Sequence, residues 1–242
     1  MNYARHFNNP FRTGPHDYLL WSGNLEELHR EPFSESMRLD EGLLVMISKL
    51  IEMTRLLSRC LSHGQRSLMD TFDVLAEEVD RQEEVLTRSL LDAKGYLAKV
   101  DEVIQFPLHL ERIGDLLEII LNCCRVKLRL NLEFTAKAHA ELEQVFVLIL
   151  DMMSDLRDAF AAPDRLLLEH IILQDGRLSG MLKGFHSAHW SRLLQGSCVP
   201  EASSTYLEIL DSAKLVSGYL MQMAGSFLRL LGSDALSMET DD

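Results

Sequence analysis

Residues 43–61, LLVMISKLIEMTRLLSRCL, and residues 142–160, LEQVFVLILDMMSDLRDAF, decide the fold between them. In the first stretch Leu43, Ile47, Leu50, Leu57 and Leu61 step by four and three around a polar Thr54. Such steps place one apolar stripe on one side of an α-helix. In the second stretch Leu142, Phe146, Ile149, Met153, Leu156 and Phe160 repeat the stripe position for position, 99 residues later.

The segments that follow each stretch repeat as well. After His63-Gly64 the pattern predicts a second helix from about Arg66 to Lys94, burying Leu68, Phe72, Leu75, Val79, Leu86 and Leu90, with Gly95 as its punctuation. A third helix is predicted from about Asp101 to Leu130, with Phe106, Leu110, Ile113, Leu117, Ile120 and Cys124 inward. Pro107 either sits in its first turn or kinks it. Pro163-Asp164 opens a fifth helix running towards Gln195, with Ile171, Leu178, Met181 and Phe185 inward, and Gly196-Ser197-Cys198-Val199-Pro200 ends it. Ser203 or Ser204 is the expected N-cap of a sixth helix. Its core face, Ile209, Ala213, Val216, Leu220, Met223 and Phe227, lies 103 residues beyond the matching positions of the third.

The expected architecture is therefore all-α: two three-helix repeats, at 39–132 and 133–231, packed side by side because neither buries enough alone. Residues 1–38 are polar, interrupted by Pro10, Pro15 and Pro32, and read as an irregular arm with a short helix around Asn24 to His29. Residues 232–242 read as a disordered tail.

A net charge of −13 disfavours nonspecific binding to nucleic acid or anionic lipid. No stretch approaches the ~20 apolar residues of a membrane span, and the start of the chain lacks the apolar core of a signal peptide. Cys60, Cys123, Cys124 and Cys198 form no Cys-x-x-Cys pair. Together these features lead us to expect a soluble cytoplasmic protein with reduced thiols.

Catalytic motifs fail one by one. There is no phosphate-cradling Gly-x-x-x-x-Gly-Lys-Ser/Thr, no Gly-x-Ser-x-Gly elbow and no His-Glu-x-x-His helix. His109-Leu110-Glu111 fits a deaminase His-x-Glu but no Pro-Cys-x-x-Cys follows. A carboxylate-bridged di-iron enzyme needs Glu-x-x-His on two helices, and the one instance, Glu26 to His29, falls in the arm.

The chemistry that does remain is acidic. On the third helix Glu111, Asp115, Glu118 and Asn122 step by four, three and four beside the apolar seam. The second helix carries Asp73, Glu77, Asp80 and Glu84 at the same steps. If the two helices are antiparallel neighbours, the stripes converge. Hard carboxylate oxygens would then suit Mg, Ca, Mn or Fe. The alternative is a solvated face neutralised by Arg81, Arg88 and Arg112.

The segment Leu110-Glu111-Arg112-Ile113-Gly114-Asp115 closely resembles the Leu-Glu-Arg-Ile-Gly-Asp run on the third helix of the PhoU family, whose members are also two three-helix repeats. The likeness covers roughly residues 39–231. The second half, around Gly196-Ser197-Cys198 and Tyr206-Leu207-Glu208-Ile209-Leu210, is similar to PhoU-like domains attached to sodium–phosphate cotransporters. This resemblance implies a non-enzymatic regulator of phosphate uptake or signalling. It would contact a phosphate transporter or its cytoplasmic subunit and a sensor histidine kinase, and would form a homodimer. It also implies a di- or trivalent metal (Fe, Mn, Mg or Zn) on Glu111 and Asp115, with Glu118 beside them and the second-helix acids Asp80, Glu77 and Glu84 as weaker ligands. One departure limits that site to the first repeat. At the 103-residue offset Lys214, Gly218, Met221 and Gly225 stand where Glu111, Asp115, Glu118 and Asn122 stand. A metal-free helical adaptor with other partners is the second reading. Met152, Met153, Met221 and Met223 would serve either an adaptable interface or the core.

Overall fold

The computed structural model describes residues 39–63, 66–92 and 103–238. The arm at 1–38, the breaks expected at Gly64 and Gly95, the start at Asp101 and the last four residues lie outside them. The described residues form six helices and no strand: α1 (Leu39–His63), α2 (Arg66–Asp92), α3 (Gln105–Arg129), α4 (Ala136–Ala161), α5 (Arg165–Leu194) and α6 (Pro200–Met238).

Local chemistry sets the ends. Pro107 sits in the first turn of α3, where its missing N–H has no partner to lose. At the other end, Asn131 (φ 50°) takes the left-handed conformation while the Leu132 N–H reaches back to the Lys127 carbonyl at 2.9 Å. Gly196 (φ 66°) does the same for α5, with the Ser197 N–H on the Arg192 carbonyl at 2.9 Å. Both are six-to-one closures that stop a helix and free the chain to turn. The Thr135 hydroxyl caps α4 through the Ala138 N–H at 3.1 Å, and the Asp164 carboxylate caps α5 through the Leu166 N–H at 2.8 Å.

Two boundaries differ from expectation. Helix α6 begins at Pro200, so Ser203 and Ser204 lie inside it rather than at its cap. A proline is preset for the first helical position, which moves the start upstream. Helix α6 also runs through Gly232 to Met238, where the sequence suggested a tail. An isolated glycine costs a helix only about 1 kcal/mol and no proline follows it.

Within each repeat the three helices pack on one another, α1 with α2 and α3, and α4 with α5 and α6. Between repeats, α1 packs on α4 and α3 on α6, so each inner helix meets its own counterpart. Phe106, early in α3, faces Phe227, late in α6, at 6.1 Å between ring centroids. Cys123, late in α3, reaches Glu208, early in α6, at 3.5 Å. The counterparts are therefore antiparallel, as a two-fold relation between the repeats requires.

The stripes read from the sequence form the core. Every named inward residue of α1, α3, α4 and α6 is buried, and Met152, Met153 and Met223 belong there, with Met221 partly buried. On α2, Leu68 and Leu75 are only partly buried, and Met69 and Ala76 take the fully buried positions. Met181 and Phe185 of α5 are likewise partly buried, with Leu168 and Leu182 deeper. These outer helices lean on two neighbours at once, which rotates the seam by one position. Among the described residues no helix is long and apolar enough to cross a membrane.

Candidate functional site: the acidic face of the first repeat

Helices α2 and α3 are antiparallel, and their acidic stripes meet. Arg125 near the end of α3 donates to Asp73 near the start of α2 at 2.5 Å, and also to Asn122 at 3.1 Å. Further along, Asp80 of α2 lies within electrostatic reach of Asp115, Glu111 and Glu118 of α3. Burial, followed by the Asp115 charge and then by Glu83 and Glu77, pushes the Asp80 carboxyl above the usual range. The Glu111 carboxyl is raised by burial and Asp115, against the opposing pull of Arg112. Glu118 is raised by burial and then by Asp80, Asp115 and Asp73. Crowded like charges at a partly dry surface favour their protonated forms.

Of the acids singled out in the sequence, Asp80, Glu111, Asp115 and Glu118 come together. Glu77 acts on Asp80 from its own helix, and the Arg81 Nε–H bonds the Glu77 backbone carbonyl at 3.1 Å rather than its side chain. Glu84 is taken up by Arg88 at 2.6 Å on the exposed side of α2. Its place beside α3 is filled by Glu83, which acts on both Asp80 and Glu111 and accepts the Thr87 hydroxyl at 2.7 Å. Steps of four and three allow either residue after Asp80. What decides is how α2 rotates between α1, where Leu86 packs against Gly42, and α3, where Glu83 faces Glu111.

Arg112 supplies the neutralising charge, with Nη1 on Asp115 at 2.9 Å and Nε 3.6 Å from Glu111. Asp115, the acid placed most centrally, is thus already engaged by a guanidinium. Among the described residues no three His, Cys, Asp or Glu side chains stand together as a metal ion requires. The face is thus acidic and partly ion-paired, through Arg112 on Asp115 and Glu111 and through Arg125 on Asp73. In the second repeat Lys214 is exposed, Gly218 and Gly225 bring no donors, and Met221 is partly buried, so nothing equivalent forms there.

No known family profile matches the sequence, and no curated protein sequence matches it. The fold does match solved structures. PhoU from Pseudomonas aeruginosa superposes with a TM-score of 0.76 at 14% identity, over 86% of this chain and 98% of that one. The phosphate transport system regulatory protein PhoU from Streptococcus pneumoniae superposes with a TM-score of 0.70 at 15% identity, over 79% of this chain and 92% of that one. Duplicated three-helix units, paired through their counterpart helices and covering nearly the whole of both solved chains, give this protein a PhoU-like fold.

Proposed function

We propose that the protein is a non-enzymatic regulator of phosphate uptake or phosphate signalling that works by contact with other proteins. The observation that carries this reading is the match along 92% of a chain described as a phosphate transport system regulatory protein. The α2–α3 face supports it. Asp73, Asp80, Glu83, Glu111, Asp115 and Glu118 offer an acidic surface to such a partner. A phosphate transporter, its cytoplasmic subunit or a sensor histidine kinase is the partner this reading names. Affinity purification of the tagged full chain should recover one of these, and deletion of the gene should alter phosphate-dependent growth or expression. Recovery of none, together with an unchanged phosphate response, removes the proposal.

A metal-free adaptor with other partners is the second reading, favoured by the engagement of Asp115 by Arg112 and by Lys214 and Gly218 in the second repeat. Elemental analysis of protein purified without chelator tests whether this second reading is right that no metal is held. Metal near one equivalent per chain, lost in both Glu111→Ala and Asp115→Ala, would count against the adaptor.

A further inference from the structure

The second repeat carries a buried polar network where the first is apolar. Glu141 of α4 is 1% exposed, and Arg192 of α5 donates to its two oxygens at 2.9 and 2.7 Å. The Tyr206 hydroxyl of α6 donates to the same carboxylate at 2.6 Å. His189 of α5, 4% exposed, stacks on the Tyr206 ring with centroids 4.7 Å apart and 29° between planes. The 99-residue offset, which also relates Phe72, Val79 and Leu86 of α2 to Ile171, Leu178 and Phe185 of α5, and the 103-residue offset of α3 and α6 put Gly42, Leu90 and Val103 at the positions of Glu141, His189 and Tyr206. Gly42 is packed so closely that an added Cβ would lie 2.5 Å from Leu86, and Leu90 and Val103 are buried. The fold therefore closes well without any polar group here.

A buried ion pair is weak as a stabilising device, because desolvation offsets its attraction. What this network does achieve is orientation. Arg192 orients Glu141, Glu141 orients Tyr206, and Tyr206 backs the imidazole of His189. The Nε2 of His189 has no hydrogen-bond partner among the described residues. A buried polar atom left unpaired carries a standing penalty that a ligand can relieve.

His189, Phe134, Thr135 and Ala202 line a small cavity with room for a single water-sized group. It shares Phe134, Cys198 and Val199 with a shallow, open cleft of about 540 Å³. Leu193 and Pro200 complete the cleft's apolar walls. The surrounding charges speak against an ionic head group of either sign. Glu133 lines both spaces, Lys127 lies 5.7 Å above the Phe134 ring, and the Arg192 charge is offset by Glu141, so neither sign of charge prevails. Burial and Arg192 hold His189 below the usual imidazole range, hence neutral.

We propose that this cavity and cleft bind a small neutral ligand with a hydroxyl head on a flat apolar body. The head bonds His189 Nε2 and the body lies against Phe134 and Val199. A hydroxyl both donates and accepts, so it satisfies either tautomer of the ring.

The test titrates p-cresol, and 4-methylanisole as the same body without the donor, into the full chain while the ring resonances of the histidines and of Phe134 are followed by NMR, Phe134 giving the readout where His189 is replaced. A saturable shift of the His189 signals by p-cresol, with 4-methylanisole at least about tenfold weaker, is expected. His189→Leu restores the residue found at the first-repeat position and should remove the p-cresol preference while circular dichroism stays unchanged. Ala202→Leu, which fills the cavity but keeps His189, should abolish binding too, and His186→Ala should leave it intact. The proposal falls if p-cresol produces no saturable shift at millimolar concentration, if 4-methylanisole binds equally well, or if a folded His189→Leu protein keeps the preference.

Discussion

Thr54 and Met153 occupy the same position in the two repeats, and they touch: the Thr54 hydroxyl lies 3.5 Å from the Met153 sulfur while donating to the Leu50 carbonyl at 2.8 Å. Both side chains are fully buried. A residue that meets its own counterpart marks where the two-fold axis between the repeats passes, and there the two cores become one.

Substitutions at this contact should therefore destabilise the whole molecule. Met153→Ala should lower the unfolding free energy by about 2–5 kcal/mol, the range for deleting a large buried side chain. Thr54→Val keeps the shape but removes a buried hydroxyl bonded to the Leu50 carbonyl, and should cost about 0.5–1.5 kcal/mol. Urea unfolding followed at a probe in each repeat should give one coincident transition for both variants; separate transitions would show that the halves do not share a core.

The acidic face should give a stability dependence of opposite sign to that of a salt-bridged carboxylate. Asp80, Glu111 and Glu118 titrate higher in the folded protein than in the unfolded chain. Between the two values the folded state holds more protons, so this contribution to stability falls as pH rises through the window. Below about pH 4 both states are largely protonated and the penalty disappears. Glu111→Gln should accordingly stabilise the protein at pH 7, by ~0.2–0.5 kcal/mol for each like-charge pair relieved. The gain should vanish near pH 4. Melting temperatures across that range report it, and a gain that persists in acid would contradict the assignment.

Glu141 behaves differently because its charge is buried and fully bonded. Glu141→Gln removes that charge while leaving Arg192 partly buried, and should cost about 3–5 kcal/mol. Tyr206→Phe removes one donor from the same carboxylate and should cost less, about 1–3 kcal/mol. Denaturant titration of both variants and of the pair measures the coupling. Additive losses would mean that the three groups do not act as a unit.

Thiol chemistry should single out one cysteine. Burial, followed by the Glu208 carboxylate, pushes the Cys123 thiol up to about 12, and burial also raises Cys60 and Cys124. Cys198 is half-exposed in the α5–α6 turn. A thiolate-specific disulfide reagent at pH 8 should react rapidly with one thiol per chain, and with all four only after unfolding. Rapid native labelling of Cys123 would show that the α3–α6 contact opens.

The architecture was legible because duplication writes itself twice. Leu43 to Leu61 and Leu142 to Phe160 share one offset, and each stripe confirms the other where a lone stripe would fit any bundle. The acidic face was legible in part. Each stripe showed on its own helix, but whether Glu83 or Glu84 follows Asp80 depends on how α2 rotates against two neighbours, which periodicity does not contain. The network around Glu141 left no local trace at all. Its members come from three helices and are brought together only by packing, and their sole sequence signature is that Gly42, Leu90 and Val103 differ from them in kind. Ser203 misled for a simpler reason: a good capping residue yields to a proline three positions earlier.

The difference in acids between the two repeats gives the surface a direction. With both copies intact, a partner that reads carboxylates could seat itself in either of two equivalent poses. With Lys214 and Gly218 standing opposite Glu111 and Asp115, only one pose matches in charge. The two-fold relation of the backbone is therefore not matched by its surface charge, which differs from one end of the α3–α6 pair to the other.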